Sequence, residues 1–203
     1  MRIYWLGGSP CSGKSTIAER LTLQYNLTYF RCDDSLTAHI ASSDPRHQPT
    51  LARLRTMTSD EIWLEPVAAQ VERVIAIYRE EFSLLLAELQ ALHTGRPILA
   101  EGAALMPELV RQDPTWAAHA VWMVPTPVFQ REHYRQRPWV AGVLQDCSDP
   151  VQAFANWMAR DEAYAIYVTQ TAIAAGLPLL QVDGSQTMDV NATWVASQLG
   201  LAD

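Results

Sequence analysis

Nine residues near the start of the chain have the types and spacing needed to handle phosphate. Gly8, Ser9, Pro10, Cys11, Ser12, Gly13, Lys14 and Ser15, with Thr16 behind them, fit the pattern G-x-x-x-x-G-K-[ST]. Glycine at both ends lets the backbone curl until successive N–H groups point at one anion. A helix opening at the lysine adds the partial positive charge of its N-terminus. In such a loop Lys14 reaches the outer phosphates of a nucleoside triphosphate, and the Ser15 hydroxyl sits on Mg²⁺. Lys14 is also the only lysine in the chain; every other member of the Lys and Arg set is an arginine. The loop therefore keeps lysine where a compact ammonium is wanted.

Three carboxylates are spaced to complete such a site. Asp33 and Asp34 follow an apolar and aromatic run, Thr28 to Cys32, and Glu101 closes another, Pro97 to Gly102. In open α/β sheets ligands collect at the carboxyl ends of strands. One of the paired aspartates can hold Mg²⁺ and the other can accept the proton of an attacking hydroxyl. Spacing does not rank the two, and either can instead cap the next helix. Glu101 is a candidate metal ligand or water-positioning group, with a structural ion pair as its alternative. Arg131 and Arg135 share one helix face and Arg137 follows at the helix end. Like charges so placed repel unless an anion neutralises them, and planar guanidinium forks suit phosphate. The plainer alternative is a solvated helix with Glu132 as partner.

The elements that must position these groups alternate along the chain. Ile3 to Leu6 reads as the first strand, ahead of the glycine loop and a helix carrying Ile17 and Leu21. The second strand is Thr28 to Cys32, the third Pro97 to Gly102, the fourth Ala120 to Val124, and the fifth Pro178 to Gly184. Between the second and third strands lie a short helical piece from Thr50 to Met57, a capping box at Thr58 and Glu61, and a long amphipathic helix from Val67 to Leu92. Thr126-Pro127 opens the arginine-bearing helix, and Trp139 to Ser148 reads as a mobile connection. Ser148-Asp149-Pro150 opens a second long helix that reaches Gly176. A last helix runs from about Asp189 to Leu199, with Gly200 as its stop. One domain spanning 1–203 is predicted.

Composition narrows the function. At 203 residues, 49% hydrophobic and 18% charged, the chain suits one globular domain. A net charge of −7 disfavours a nucleic-acid partner. No apolar run approaches the roughly 18 residues of a membrane span, and the first residues lack a signal-peptide pattern. Three cysteines without metal-ligand spacing point to a reducing cytoplasm, as small buried thiols rather than a redox pair.

The motif, the Asp33-Asp34-Ser35-Leu36 run, Glu101-Gly102 and the segment Arg131 to Arg137 together resemble the P-loop small-molecule kinases. These are the nucleoside monophosphate, shikimate and gluconate kinases, with chloramphenicol phosphotransferase-like proteins and zeta-type toxin kinases. Asp34-Ser35-Leu36 is similar to the Asp-Ser-Leu of the chloramphenicol phosphotransferase group, whose aspartate is the proposed base. Asp33-Asp34 is also similar to the paired acids of other small-molecule kinases. The resemblance implies a three-layer α/β P-loop NTPase fold with a five-stranded parallel sheet of order 2-3-1-4-5 and helices on both faces. It also implies ATP and Mg²⁺ as cofactors, a small-molecule acceptor between the second and third strands, and a lid at about 126–160. The chain departs from the family in the long, largely helical segment at about 35–96. His39, Arg46, His47, Arg53, Arg55 and Trp63 lie there as candidate acceptor contacts. No Asn-Lys-x-Asp motif for guanine is present, and no Asp-Glu pair of the motor type ends the third strand. The expected activity is ATP-dependent phosphoryl transfer to a small polar metabolite. A regulatory protein that binds ATP and transfers nothing is the competing expectation.

Overall fold

The computed structural model describes residues 2–201. In chain order the elements are β1 (Ile3–Gly8), α1 (Lys14–Gln24), β2 (Thr28–Arg31), α2 (Leu36–Ser42), α3 (Pro49–Leu54), α4 (Ser59–Trp63), α5 (Val67–Ala91) and β3 (Ile98–Glu101). There follow α6 (Pro107–Val110), α7 (Pro114–Ala117), β4 (Ala120–Pro125), α8 (Pro127–Arg135), α9 (Val140–Leu144), α10 (Pro150–Ala174), β5 (Leu179–Val182) and α11 (Met188–Leu199).

The five strands form one parallel sheet in the order β2-β3-β1-β4-β5. Its strands are apolar almost throughout because both faces are covered. Alternate residues go to opposite layers. Trp5, Ile98, Ala100, Trp122 and Val124 pack with α5 and α10 through Phe82, Leu85, Leu89, Tyr164 and Val168. Tyr4, Leu6, Leu99, Val121 and Met123 pack on the other face with Ile17 and Leu21 of α1 and Val195 and Leu199 of α11. This is the three-layer α/β architecture, with the strand order, that the family resemblance implies. Gly200, at φ 72°, ends α11 in the left-handed conformation that glycine adopts without a Cβ penalty.

Register places the chemistry. Leu6 on β1, Glu101 on β3 and Arg31 on β2 stand side by side at the carboxyl edge of the sheet. The glycine loop leaves β1 at this edge. β2 stops one residue earlier than its apolar run, and Cys32–Asp34 form a 3-10 turn closed by the Ser35 N–H on the Cys32 carbonyl at 3.1 Å. That turn carries the two aspartates at this end of the sheet and brings Asp33 beside the loop. The capping box is present: Thr58 accepts from the Glu61 N–H while Glu61 accepts from the Thr58 N–H. The connection after α8 contains a short helix, α9, with Val140 and Leu144 buried one turn apart. They belong to a third cluster with Cys11, Tyr134, Trp157 and Met158, which packs the α8–α10 region against the glycine loop. Among the described residues no helix is long and apolar enough to cross a membrane.

Candidate active site

The loop from Gly8 to Ser15 owes its curl to positive-φ backbone at Gly8, Cys11 and Gly13. Gly8 has φ 125°, and a Cβ there would stand 1.9 Å from the Met123 carbonyl oxygen. Gly13, at φ 83°, is the last residue before α1. The loop is also cross-tied. The Ser9 carbonyl accepts the Ser12 hydroxyl at 3.1 Å and the Lys14 ammonium at 2.8 Å, and the Ser9 N–H donates to the Met123 carbonyl at 3.1 Å. Ser15 and Thr16 remain exposed at the start of α1.

Lys14 is only 6% exposed. Burial lowers its pKa, and the negative charges of Glu101 and Asp33 oppose that shift. Glu101 is 2% exposed; burial raises its pKa, and Lys14 works against the rise. The Tyr29 hydroxyl donates to Glu101 at 2.9 Å, and the Arg31 guanidinium lies 5.3 Å from the Tyr29 ring centroid. Glu101 is thus fixed from the β2 side, with its carboxylate in reach of the Ser15 hydroxyl and the Lys14 charge. No ion pair in the ordinary sense accounts for it.

A pocket of about 350 Å³ joins these groups. Its lining includes the loop from Pro10 to Thr16, Asp33, Glu101, Arg137 and Arg160. Asp33 and Asp34, equal by spacing, are therefore unlike in place: Asp33 lines the pocket and Asp34 does not. The three lid arginines also separate. Arg137 lines the pocket, 4.9 Å from the Tyr134 ring centroid and 5.6 Å from that of Trp139. Arg131 pairs with Glu162 at 3.0 Å, outside the lining, and Arg135 is exposed. The partner of Arg131 is a glutamate on α10 rather than Glu132 on its own helix.

Arg160 is the functional candidate that spacing alone leaves unassigned. It lines the pocket, lies 4.9 Å from the Trp63 ring centroid, and pairs with Asp161 at 2.6 Å. The signal available in the sequence is Trp157, Arg160, Asp161 and Tyr164 at helical spacing on α10. Trp63 itself stands behind Arg160 and packs against Trp157 in a tilted pair, 4.6 Å between centroids and 34° between planes.

The other candidate acceptor contacts lie apart from the pocket. His47 pairs with Asp44, Arg53 approaches Glu65 at 3.8 Å, and Arg55 donates to the Ala41 carbonyl, all on the surface. Arg46 is exposed. His39 is buried between Glu81 at 3.1 Å and Glu88 at 3.2 Å, and the Ser35 hydroxyl donates to Glu88 at 2.6 Å. This chain of bonds ties α2, which follows the aspartate turn, to α5.

Burial pushes the Glu81 carboxyl up to about 7, with His39 opposing the rise. An unfolded glutamate titrates near pH 4.3. Between those values the folded chain holds a proton that the unfolded chain has lost. The stabilisation is therefore fully present at low pH and is lost as pH rises through about 7. Glu81→Gln removes the titration while keeping a hydrogen-bonding group. In urea unfolding, its stability relative to the parent protein is expected to improve from pH 5 to pH 8. A difference that stays constant across that range would contradict this account of the α2–α5 contact.

The donor set fits a nucleoside triphosphate with Mg²⁺. A curled loop, a buried ammonium, an exposed hydroxyl at Ser15 and two carboxylates meet at one pocket. Mg²⁺ sites of this kind use one or two carboxylates and take their remaining ligands from phosphate and water. Among the described residues there is no group of three or more His, Cys, Asp or Glu that could hold a metal ion. All three cysteines are free and buried. Burial pushes the Cys11 thiol up, and Cys32 well up, which favours the unreactive thiol.

No family model and no curated protein matches the sequence. Solved structures do. Shikimate kinase from Bacteroides thetaiotaomicron aligns over 99% of this chain and 99% of its own, at 13% identity and a TM-score of 0.53. TT1252 from Thermus thermophilus aligns over 99% of this chain and 96% of its own, at 15% identity and a TM-score of 0.50. A gluconokinase from Sinorhizobium meliloti 1021 aligns over 98% and 91%, at 15% identity and a looser TM-score of 0.42. The first two likenesses show that the chain shares the fold of those proteins, the first of them a shikimate kinase. At such identity they speak for architecture alone.

Proposed function

We propose that the chain is an ATP-dependent phosphotransferase acting on a hydroxyl or phosphate group of a small polar metabolite. The observation that carries this reading is the convergence of Lys14, Ser15, Asp33, Glu101, Arg137 and Arg160 on one pocket. In this reading the N–H groups of the Gly8–Thr16 loop and the Lys14 ammonium hold the nucleotide phosphates. Ser15, Asp33 and Glu101 are the groups that would hold Mg²⁺, directly or through water. When bound, Mg²⁺ supplies charge neutralisation between the outer phosphates.

The remaining work falls to side chains of this chain. Phosphoryl transfer needs positioning and charge stabilisation more than covalent chemistry. Asp33, exposed at the pocket, accepts the acceptor's proton or orients its hydroxyl. Arg137 and Arg160 face the charge of the transferred group from the 126–160 lid and its following helix. Arg131 and Arg135 stay at the lid surface and would need lid movement to contribute. The 35–96 insertion backs the acceptor side through Trp63 and the α2–α5 contact.

A thermal-shift screen with an ATP analogue, Mg²⁺ and candidate acceptors tests the reading. A specific acceptor at a hundred times its dissociation constant stabilises the fold by about 2.7 kcal/mol, and the same compound should then stimulate ADP formation from ATP. Nucleotide binding without any acceptor-dependent ADP would favour a regulatory ATP-binding protein instead.

A further inference from the structure

Asp161 has no part in the reading above, yet it is bonded to three residues that line the pocket. It is 2% exposed. One oxygen accepts the Nε and Nη2 of Arg160 at 2.9 and 2.6 Å. The other accepts the Tyr134 hydroxyl at 3.0 Å and the Trp157 indole N–H at 3.1 Å. A carboxylate offers about four lone-pair positions, and four donors use them. Asp161 has nothing left for a metal or a substrate proton.

Its partners set both guanidinium groups of the pocket. Arg160 is held directly, and its plane is backed by Trp63, whose carbonyl in turn accepts from Gln70 at 2.9 Å and Asn156 at 3.0 Å. Arg137 lies over the Tyr134 ring, and the hydroxyl of that ring ends on Asp161. The Asp161 carbonyl also accepts the buried Ser9 hydroxyl of the phosphate loop at 3.3 Å. One residue on α10 therefore touches the loop, the lid helix α8 and the pocket arginine.

We propose that Asp161 is a positioning residue that fixes Arg160 directly, and Arg137 through Tyr134, in the orientation that receives the charge of a phosphoryl group in transfer. This rests on the phosphotransferase reading. Donors held in place before reaction need no reorganisation as charge develops, so their loss falls on the transition state rather than on nucleotide binding.

Two variants and two probes test it. Asp161→Asn keeps an oxygen for Tyr134 and Trp157 but no charge for Arg160, while Tyr134→Phe removes a single hydroxyl. The probes are Mg²⁺–ADP and Mg²⁺–ADP with aluminium fluoride, which mimics the phosphoryl group in flight. In Asp161→Asn, ADP affinity is expected to stay within about twofold while affinity for the fluoride complex falls about tenfold or more. Tyr134→Phe should show the same selective loss at about threefold. Should Asp161→Asn fail to fold, Tyr134→Phe decides, since equal affinity for the fluoride complex overturns the inference. A parent protein that binds neither probe overturns the phosphotransferase reading and this inference with it. A parent protein that binds both, with variants indistinguishable from it, overturns the inference alone.

Discussion

Replacing Lys14 with alanine is expected to lower phosphoryl transfer by about 10³-fold, a loss typical of removing a preorganised charge from a transition state. ATP affinity should fall as well, since the ammonium is the one lysine charge the loop possesses. The fold should survive. The structural bond that Lys14 makes is to the Ser9 carbonyl at 2.8 Å, and that oxygen keeps the Ser12 hydroxyl at 3.1 Å. The variant does leave Glu101 buried without a neighbouring cation, so the Glu101 pKa should rise further than burial already takes it. Calorimetry with ATP and Mg²⁺, beside a thermal melt, separates these effects. Unchanged ATP affinity in a folded variant would remove the phosphate-loop assignment.

The second large effect is expected at Asp33. Asp33→Asn should slow transfer by about 10²- to 10⁴-fold, the range for losing a positioned general base, with a weakened Mg²⁺ dependence if the same carboxylate helps hold the metal. Asp34→Asn should cost far less, because Asp34 lies outside the pocket that Asp33 lines. Steady-state rates across a Mg²⁺ titration for both variants measure this directly. Equal losses in the two, or none in either, would mean that the 3-10 turn supplies a helix start and that the base lies elsewhere.

The frame was legible in the sequence because its signals are local. Apolar strand runs, the glycine loop, Pro127 and Pro150 at helix starts and Gly200 at a helix stop each act over a few residues. The order of the sheet was legible only through the family resemblance, since nothing local in a strand says which neighbour it takes. The small helices α6 and α7 also carry local signals, proline at the first position in both, with Asp113 capping the second.

The site divides the same way. Lys14, Ser15 and Glu101 follow from the loop and from strand register. Asp33 and Asp34 could not be told apart by spacing, because a one-residue difference in a 3-10 turn changes direction by about a third of a turn. Arg131 and Arg137 carry equal charge in the sequence, and only Glu162, on another helix, decides that one is taken. Arg160 stands on the second long helix, where the sequence leaves its part in the site open. Contacts from Trp63 and Tyr134, distant in sequence, hold Arg160 and its neighbour Asp161 at the pocket.

The most direct measurement incubates the purified chain with Mg²⁺, ATP labelled at the γ-phosphate and a pool of small polar hydroxyl compounds, then separates the products. The account predicts label in a new phosphorylated metabolite, absent when Lys14→Ala replaces the parent protein. Tight binding of Mg²⁺–ATP with all label remaining in ATP or free phosphate, whichever acceptors are supplied, would contradict it.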